Sequence, residues 1–117
     1  MEVQAITKNV RMSAQKMREV VRQIQGMPAA QAQAVLAVVP RKGARFVAKT
    51  LKSAIANAAD LKEHKPEYRG IKADRLRIKE AVAQTASTLR RFTPKARGSA
   101  GPILKRNCHV KIILTDE

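Results

Sequence analysis

Few side chains in this sequence are of a type that cuts, transfers or ligates, and their spacing argues against all three. Cys108 is the single cysteine and the histidines are His64 and His109. Cys108 and His109 are neighbours, and on the strand that the surrounding alternation suggests, neighbouring side chains point to opposite faces. A nucleophile–base pair from these two is therefore not expected. His64 lies in a charged stretch with no Cys or second His beside it, which leaves no zinc ligand set. A lone cysteine gives no disulfide framework either. Arg97-Gly98-Ser99-Ala100-Gly101 has the small residues of a phosphate loop but lacks the helix that must follow one. No catalytic residue, metal or cofactor is expected.

Positive charge is the chemistry the chain has in quantity. Lys and Arg total 24 against nine Asp and Glu, a formal net charge of +15. Repulsion on that scale opposes compaction until a polyanion neutralises it. Nucleic acid is the leading candidate, because each phosphate neutralised also releases counterions. Phe46, Tyr68 and Phe92 are the only aromatics, which argues against single-strand binding on aromatic platforms. Contact with phosphates, sugars and the shape of a folded nucleic acid fits better. Lys42, Arg45, Lys49 and Lys52 recur every three or four residues and form one stripe of a helix. No acid lies between Glu19 and Asp60 to neutralise that stripe. A merely solvated face is the alternative.

The segment Ala83 to Gly101 is compositionally unusual. Seven Lys or Arg and no acid lie between Glu80 and Asp116. Leu89 and Phe92 are almost its only bulky apolar residues before Ile103. Such a segment builds no core of its own, and loops this long are functional or disordered. Small Ala, Ser, Thr and Gly let a narrow arm pass close to a neighbouring backbone. Arg90, Arg91, Lys95 and Arg97 would meet phosphates along it. The competing possibility is a flexible basic loop.

The elements that must position these cations follow from periodicity. Val3, Ala5 and Thr7 alternate with Gln4, Ile6 and Lys8, a short strand. Ser13 is a helix N-cap, followed at helical spacing by Met17, Val20, Val21 and Ile24, with Gly26 and Pro28 as the stop. Ala29 to Val38 reads as a second helix with Ala32, Val35, Leu36 and Val39 on one face. The third, roughly Arg41 to Leu61, carries Ala44, Val47, Ala48, Leu51, Ile55 and Ala58 as its apolar stripe. Asn57 in that helix is expected to serve structure. Lys62 to Gly70 reads as a loop, and Asp60, Glu63 and Glu67 balance Lys62, Lys65 and Arg69 on a solvated surface. Leu76, Ile78 and Val82 alternate with Arg75, Arg77 and Lys79, a strand with one basic face. Val110, Ile112 and Leu114 make another. No repeat or linker divides the chain, and no run of about 18 apolar residues is present to cross a membrane. With no signal-peptide pattern at the N-terminus, a cytosolic, soluble protein is expected.

Four stretches resemble the large-subunit ribosomal protein number twenty-two family. They are Val10-Arg11-Met12-Ser13 with Lys16-Met17-Arg18, then Ser53 to Ala58, Leu89 to Ala100, and Ile103 to Val110. They occur in family order and approximate spacing across nearly the whole chain. The resemblance implies an α+β fold: three helices packed on a small three-stranded antiparallel sheet, with a long extended β-hairpin arm at about 80–104 of a single 1–117 domain. It implies a structural constituent of the large ribosomal subunit, cytoplasmic, in contact with large-subunit ribosomal RNA and neighbouring ribosomal proteins. The arm would help line the nascent-peptide exit tunnel, with Thr88, Leu89, Arg90, Arg91 and Phe92 at its tip near the nascent polypeptide and Pro94 to Ala100 beginning the return. The RNA-binding set expected on both grounds is Lys8, Arg11, Ser13, Lys16, Arg18, Lys42, Arg45, Lys49, Lys52, Arg75, Arg77, Arg90, Arg91, Lys95, Arg97, Lys105 and Arg106. Two places depart from the family pattern. Ala83 to Ser87 stand where an acidic pair and Gly-Pro are usual, and Lys95 stands where Arg is common, exchanging a bidentate fork for a point charge.

Three other classes compete. A basic hairpin with apolar residues could enter a minor groove, as in an architectural DNA-binding protein. A hydrolase would need His109 or Cys108. Membrane-surface binding would need bulky aromatics opposite the cations of the basic helix, and they are lacking.

Overall fold

Alternating burial builds the sheet. In the computed structural model, which describes residues 1–116, strand β1 (Glu2–Val10) turns Val3 and Ala5 inward and Glu2, Gln4 and Ile6 outward. Strand β5 (Cys108–Thr115) buries Cys108, Val110, Ile112 and Leu114 on the same side. It is the middle strand, with β1 on one flank and β2 (Arg77–Thr85) on the other, both antiparallel to it. One face of this sheet is covered by helices, as in other α+β domains.

Ser13 starts α1 (Ala14–Val21) by accepting the Lys16 N–H on its hydroxyl at 3.3 Å. After a short 3₁₀ turn the chain leaves through Gly26, whose φ of +75° is in the region glycine tolerates. Next come α2 (Ala29–Val38) and α3 (Lys42–His64), which runs three residues past the expected Leu61. Met17, Val20 and Ile24 meet Ala32, Leu36, Val47 and Leu51 over Ile78, Ile112 and Leu114 in one continuous core. Thr50 is the polar member of that contact. It donates to the Phe46 carbonyl at 2.8 Å, so the Thr7 hydroxyl 2.6 Å away must be the donor between the two threonines.

The basic strand differs from its expected pattern. Register slips between Ile78↔Leu114 and Glu80↔Ile113, a bulge at Lys79–Glu80. One inserted residue flips the phase of everything beyond it. Ala81 and Ala83 therefore point inward and Val82 is only half-buried, instead of continuing the Leu76–Ile78 row. Arg75 precedes the strand, in a 3₁₀ turn.

Parts of both sheet edges find hydrogen-bond partners outside the sheet. Along β2, Gly26 donates to the Ile78 carbonyl, Ile78 to Met27 and Ala29 to Leu76, at 2.9 to 3.1 Å. The Gln25 amide extends that cover by bonding both the N–H and the carbonyl of Ala81. On β1, Asn57 of α3 donates to the Gln4 carbonyl at 3.1 Å, the structural role expected of it.

Beyond Thr85↔Cys108 the sheet narrows to two strands. β3 (Leu89–Pro94) pairs only with β4 (Ala100–Lys105), from Leu89↔Lys105 at one end to Pro94↔Ala100 at the other. Between the two ladders Ala86, Ser87 and Thr88 oppose Arg106 and Asn107, a second bulge, held by Asn107 Nδ2 on the Ser87 carbonyl at 3.0 Å. The ribbon makes the molecule long: 67 × 28 × 16 Å, with a radius of gyration of 17.7 Å. A compact chain of this length would have about 13 Å.

Candidate nucleic-acid interface

Three separated parts of the chain converge at the root of the ribbon. The loop after β1 supplies Arg11 and Met12, the first turn of α1 supplies Ser13, Gln15 and Lys16, and the start of α3 supplies Arg41 and Lys42. Leu104 and Arg106 of the ribbon close the hollow, whose volume is about 770 Å³. Gly43 lies at this convergence. A Cβ there would lie 3.0 Å from Met17 Sδ and 3.2 Å from Met12 Cε, so a side chain would have to displace the ends of these two methionines.

The electrostatics of this basin are one-sided. Its five cations, Arg11, Lys16, Arg41, Lys42 and Arg106, face one acid, Glu19, which lies 3.6 Å from Arg41 with both side chains exposed. The first turns of α1 and α3 contain no acid, and no side chain caps α3. Free N–H groups at helix starts add partial positive charge to the same space. Internal bonds set the geometry. Arg11 donates to the Arg106 carbonyl at 2.8 Å, fastening the N-terminal loop to the ribbon root, and Lys42 Nζ donates to the Arg11 carbonyl at 3.3 Å. The arrangement suits a run of backbone phosphates.

The expected residues divide into groups. Arg11, Ser13, Lys16, Lys42 and Arg106 come together in the basin, although the Ser13 hydroxyl is engaged as a helix cap. Arg45, Lys49 and Lys52 continue from Lys42 along the exposed face of α3. Arg90, Arg91, Lys95, Arg97 and Lys105 are spread along the ribbon, all exposed. Lys8 is exposed on β1, while Arg75 and Arg77 lie at the end of the sheet away from the ribbon. Arg18 is turned to the fold, its Nε donating to the Ala83 carbonyl at 3.3 Å. Arg41 was missed; an acid-free helix start after Pro40 was its signal.

The tip needs correction. Strand register puts Thr88 and Leu89 at the root of the ribbon, and closes its far end at Lys95 to Ser99. There Lys95 N–H donates to the Ser99 carbonyl at 2.7 Å, and Arg97 and Gly98 take φ values of 60° and 72°. Consecutive positive φ values reverse the chain tightly, with the twist a hairpin needs. Pro94 to Ala100 therefore form the end of the arm rather than the beginning of its return.

The reactive side chains are committed to structure. Cys108 is fully buried in the core, and burial pushes its thiol above the ordinary value. His109 Nδ1 accepts the Asn9 N–H at 3.0 Å, at a bulge where Asn9 has a φ of 56°. No group of three or more His, Cys, Asp or Glu could hold a metal among the described residues. Among the described residues no helix is long and apolar enough to cross a membrane.

Comparison with known proteins adds an independent line. Residues 5–115 match the family described as ribosomal protein L22p/L17e. Proteins named large ribosomal subunit protein uL22 are similar over almost their full length. That of Opitutus terrae is 48% identical over 116 residues, covering 99% of this chain and 96% of the relative. Those of Akkermansia muciniphila and Methylacidiphilum infernorum are each 44% identical over 117 residues, covering all of this chain and 98% and 96% of the relatives.

Proposed function

The chain belongs to the ribosomal protein L22p/L17e family, and from that premise we propose that it binds large-subunit ribosomal RNA through the basin, the basic face of α3 and the ribbon. Membership makes it a structural constituent of the large ribosomal subunit in the cytoplasm, and not an enzyme. The observation that carries the RNA contact is the basin, where five cations and two helix starts meet beside a ribbon without acids. Arg11, Lys16, Arg41, Lys42 and Arg106 hold phosphates at the root, and Arg45, Lys49 and Lys52 extend the track. Arg90, Arg91, Lys95, Arg97 and Lys105 neutralise RNA that closes around the ribbon. Lys8, Arg75 and Arg77 fall outside this primary footprint, and Ser13 and Arg18 support it through the fold.

The ribbon builds no core and projects from the domain, which fits an element ordered by its surroundings in an assembly. We place its far end, Lys95 to Ser99, at the wall of the nascent-peptide exit tunnel, in reach of the nascent chain. Neighbouring ribosomal proteins complete the surroundings of the domain.

Ultraviolet crosslinking of the tagged protein in growing cells, followed by sequencing of the attached RNA, tests this. Reads concentrated on several domains of large-subunit ribosomal RNA around the exit tunnel are expected. Reads scattered over unrelated transcripts, or recovery of DNA, would reject the footprint and favour an architectural DNA-binding role.

A further inference from the structure

The two faces of the ribbon differ in a way that composition does not reveal. Residues directly opposite in an antiparallel pair share a face. Phe92↔Pro102, Arg90↔Leu104 and Pro94↔Ala100 therefore form one face, and Leu89↔Lys105, Arg91↔Ile103 and Thr93↔Gly101 the other. The first face carries one charge, Arg90, among Leu104, two prolines and an alanine, with Phe92 at its centre and 76% exposed. Leu104 on this face also lines the basin, so the apolar face and the phosphate-binding hollow are continuous. Phe92 lies roughly 7 Å along the strand from that border, two residues at the usual rise.

We propose that Phe92 is a base-stacking residue, taking an unpaired nucleobase of bound RNA on the exposed face of its ring. The inference rests on the RNA-binding role above and deepens it from phosphate contact to base contact. Charge selects the occupant. Seven cations and no acid lie between Glu80 and Asp116, so an apolar partner here must also bring negative charge, and a nucleotide brings both. Its base has a flat π-face for the ring, and Arg90, two residues away on the same face, is placed for its phosphate. Pro102 opposite Phe92 has no N–H to leave unsatisfied under a base. Scarce aromatics still exclude a general stacking platform; the assignment is to one ring at one position.

The test is binding of the full chain to large-subunit ribosomal RNA across a salt series, with Phe92→Leu, Phe92→Tyr and Arg90→Gln. Phe92 is exposed and the ribbon pairs through its backbone, so these variants keep the fold. Losing one stacked base costs about tenfold or more in affinity. Phe92→Leu is expected to show that loss with an unchanged slope of log affinity against log salt, and Phe92→Tyr to bind like the parent. Arg90→Gln should lower the slope by about 0.7 to 0.9. Ultraviolet irradiation of the complex should yield a nucleotide adduct on the peptide containing Phe92. Equal binding by Phe92→Leu, or the absence of an adduct, overturns the stacking role while leaving phosphate binding standing. Failure of the parent chain to bind with a steep salt slope overturns both.

Discussion

Arg97 holds a backbone conformation that a residue with a Cβ occupies at a cost of about 1 kcal/mol. Its φ of 60° and ψ of 35° precede Gly98 at φ 72°, the geometry that Asn-Gly prefers in a two-residue hairpin turn. An Asn at that place would relieve the strain that the arginine carries. Arg97→Asn is expected to raise hydrogen-exchange protection in the turn while lowering RNA affinity and reducing the salt slope by about 0.7 to 0.9. An unchanged slope would mean that the turn meets no phosphate. Cys108 makes the opposite case, a reactive type made inert by position. Its thiol is buried and pushed up by desolvation, so labelling by a thiol reagent at pH 8 should track global unfolding and accelerate in denaturant. Rapid labelling of the native protein would contradict its place in the core.

At the scale of elements, the closeness of α1 and α3 creates the basin, and Gly43 packs there against the ends of Met17 and Met12. Gly43→Val should lower unfolding free energy by about 1–3 kcal/mol through overpacking, read by urea denaturation, and weaken RNA binding. The sheet carries its own pH dependence. Glu2 is held below its ordinary value by a hydrogen bond from Lys79 across β5, and Asp116 by one from the N-terminal ammonium. A carboxyl depressed in the folded state stabilises the fold above its unfolded pKa and loses that contribution as pH falls through the folded one. Melting temperature should therefore decline below about pH 4, and Glu2→Gln should remove its share of the decline. Both carboxyls are at the surface, so added salt should shrink the effect.

For the whole molecule, the core and the ribbon are separate parts. The helices and the three-stranded sheet hold the core, and the ribbon adds length and charge without burying a large side chain. Replacing residues 88–105 by a two-residue Asn-Gly turn should leave a cooperatively unfolding domain with a melting temperature within a few degrees of the parent. The same change removes Arg90, Arg91, Lys95, Arg97 and Lys105, so its RNA binding should lose several units of salt slope. Unfolding of that variant would show that the ribbon supports the core after all.

Family, charge and helix positions were legible from the residues in order, because each depends on neighbours a few positions apart. Ser13 caps its helix, Met17, Val20 and Ile24 mark one face, and the stripe from Lys42 to Lys52 needs only the helical period. Three features were not legible: the inward turn of Ala81 in place of Val82, the far end of the arm at Lys95 to Ser99, and which residues of β4 share a face with Phe92. Each follows from strand register, and register is a choice between segments distant in the chain. One inserted residue at Lys79–Glu80 or at Ala86–Thr88 reverses every side chain beyond it without altering local composition. The same distance hid which cations also brace the fold, since Arg18 finds the Ala83 carbonyl and Arg11 that of Arg106 only after the sheet has closed.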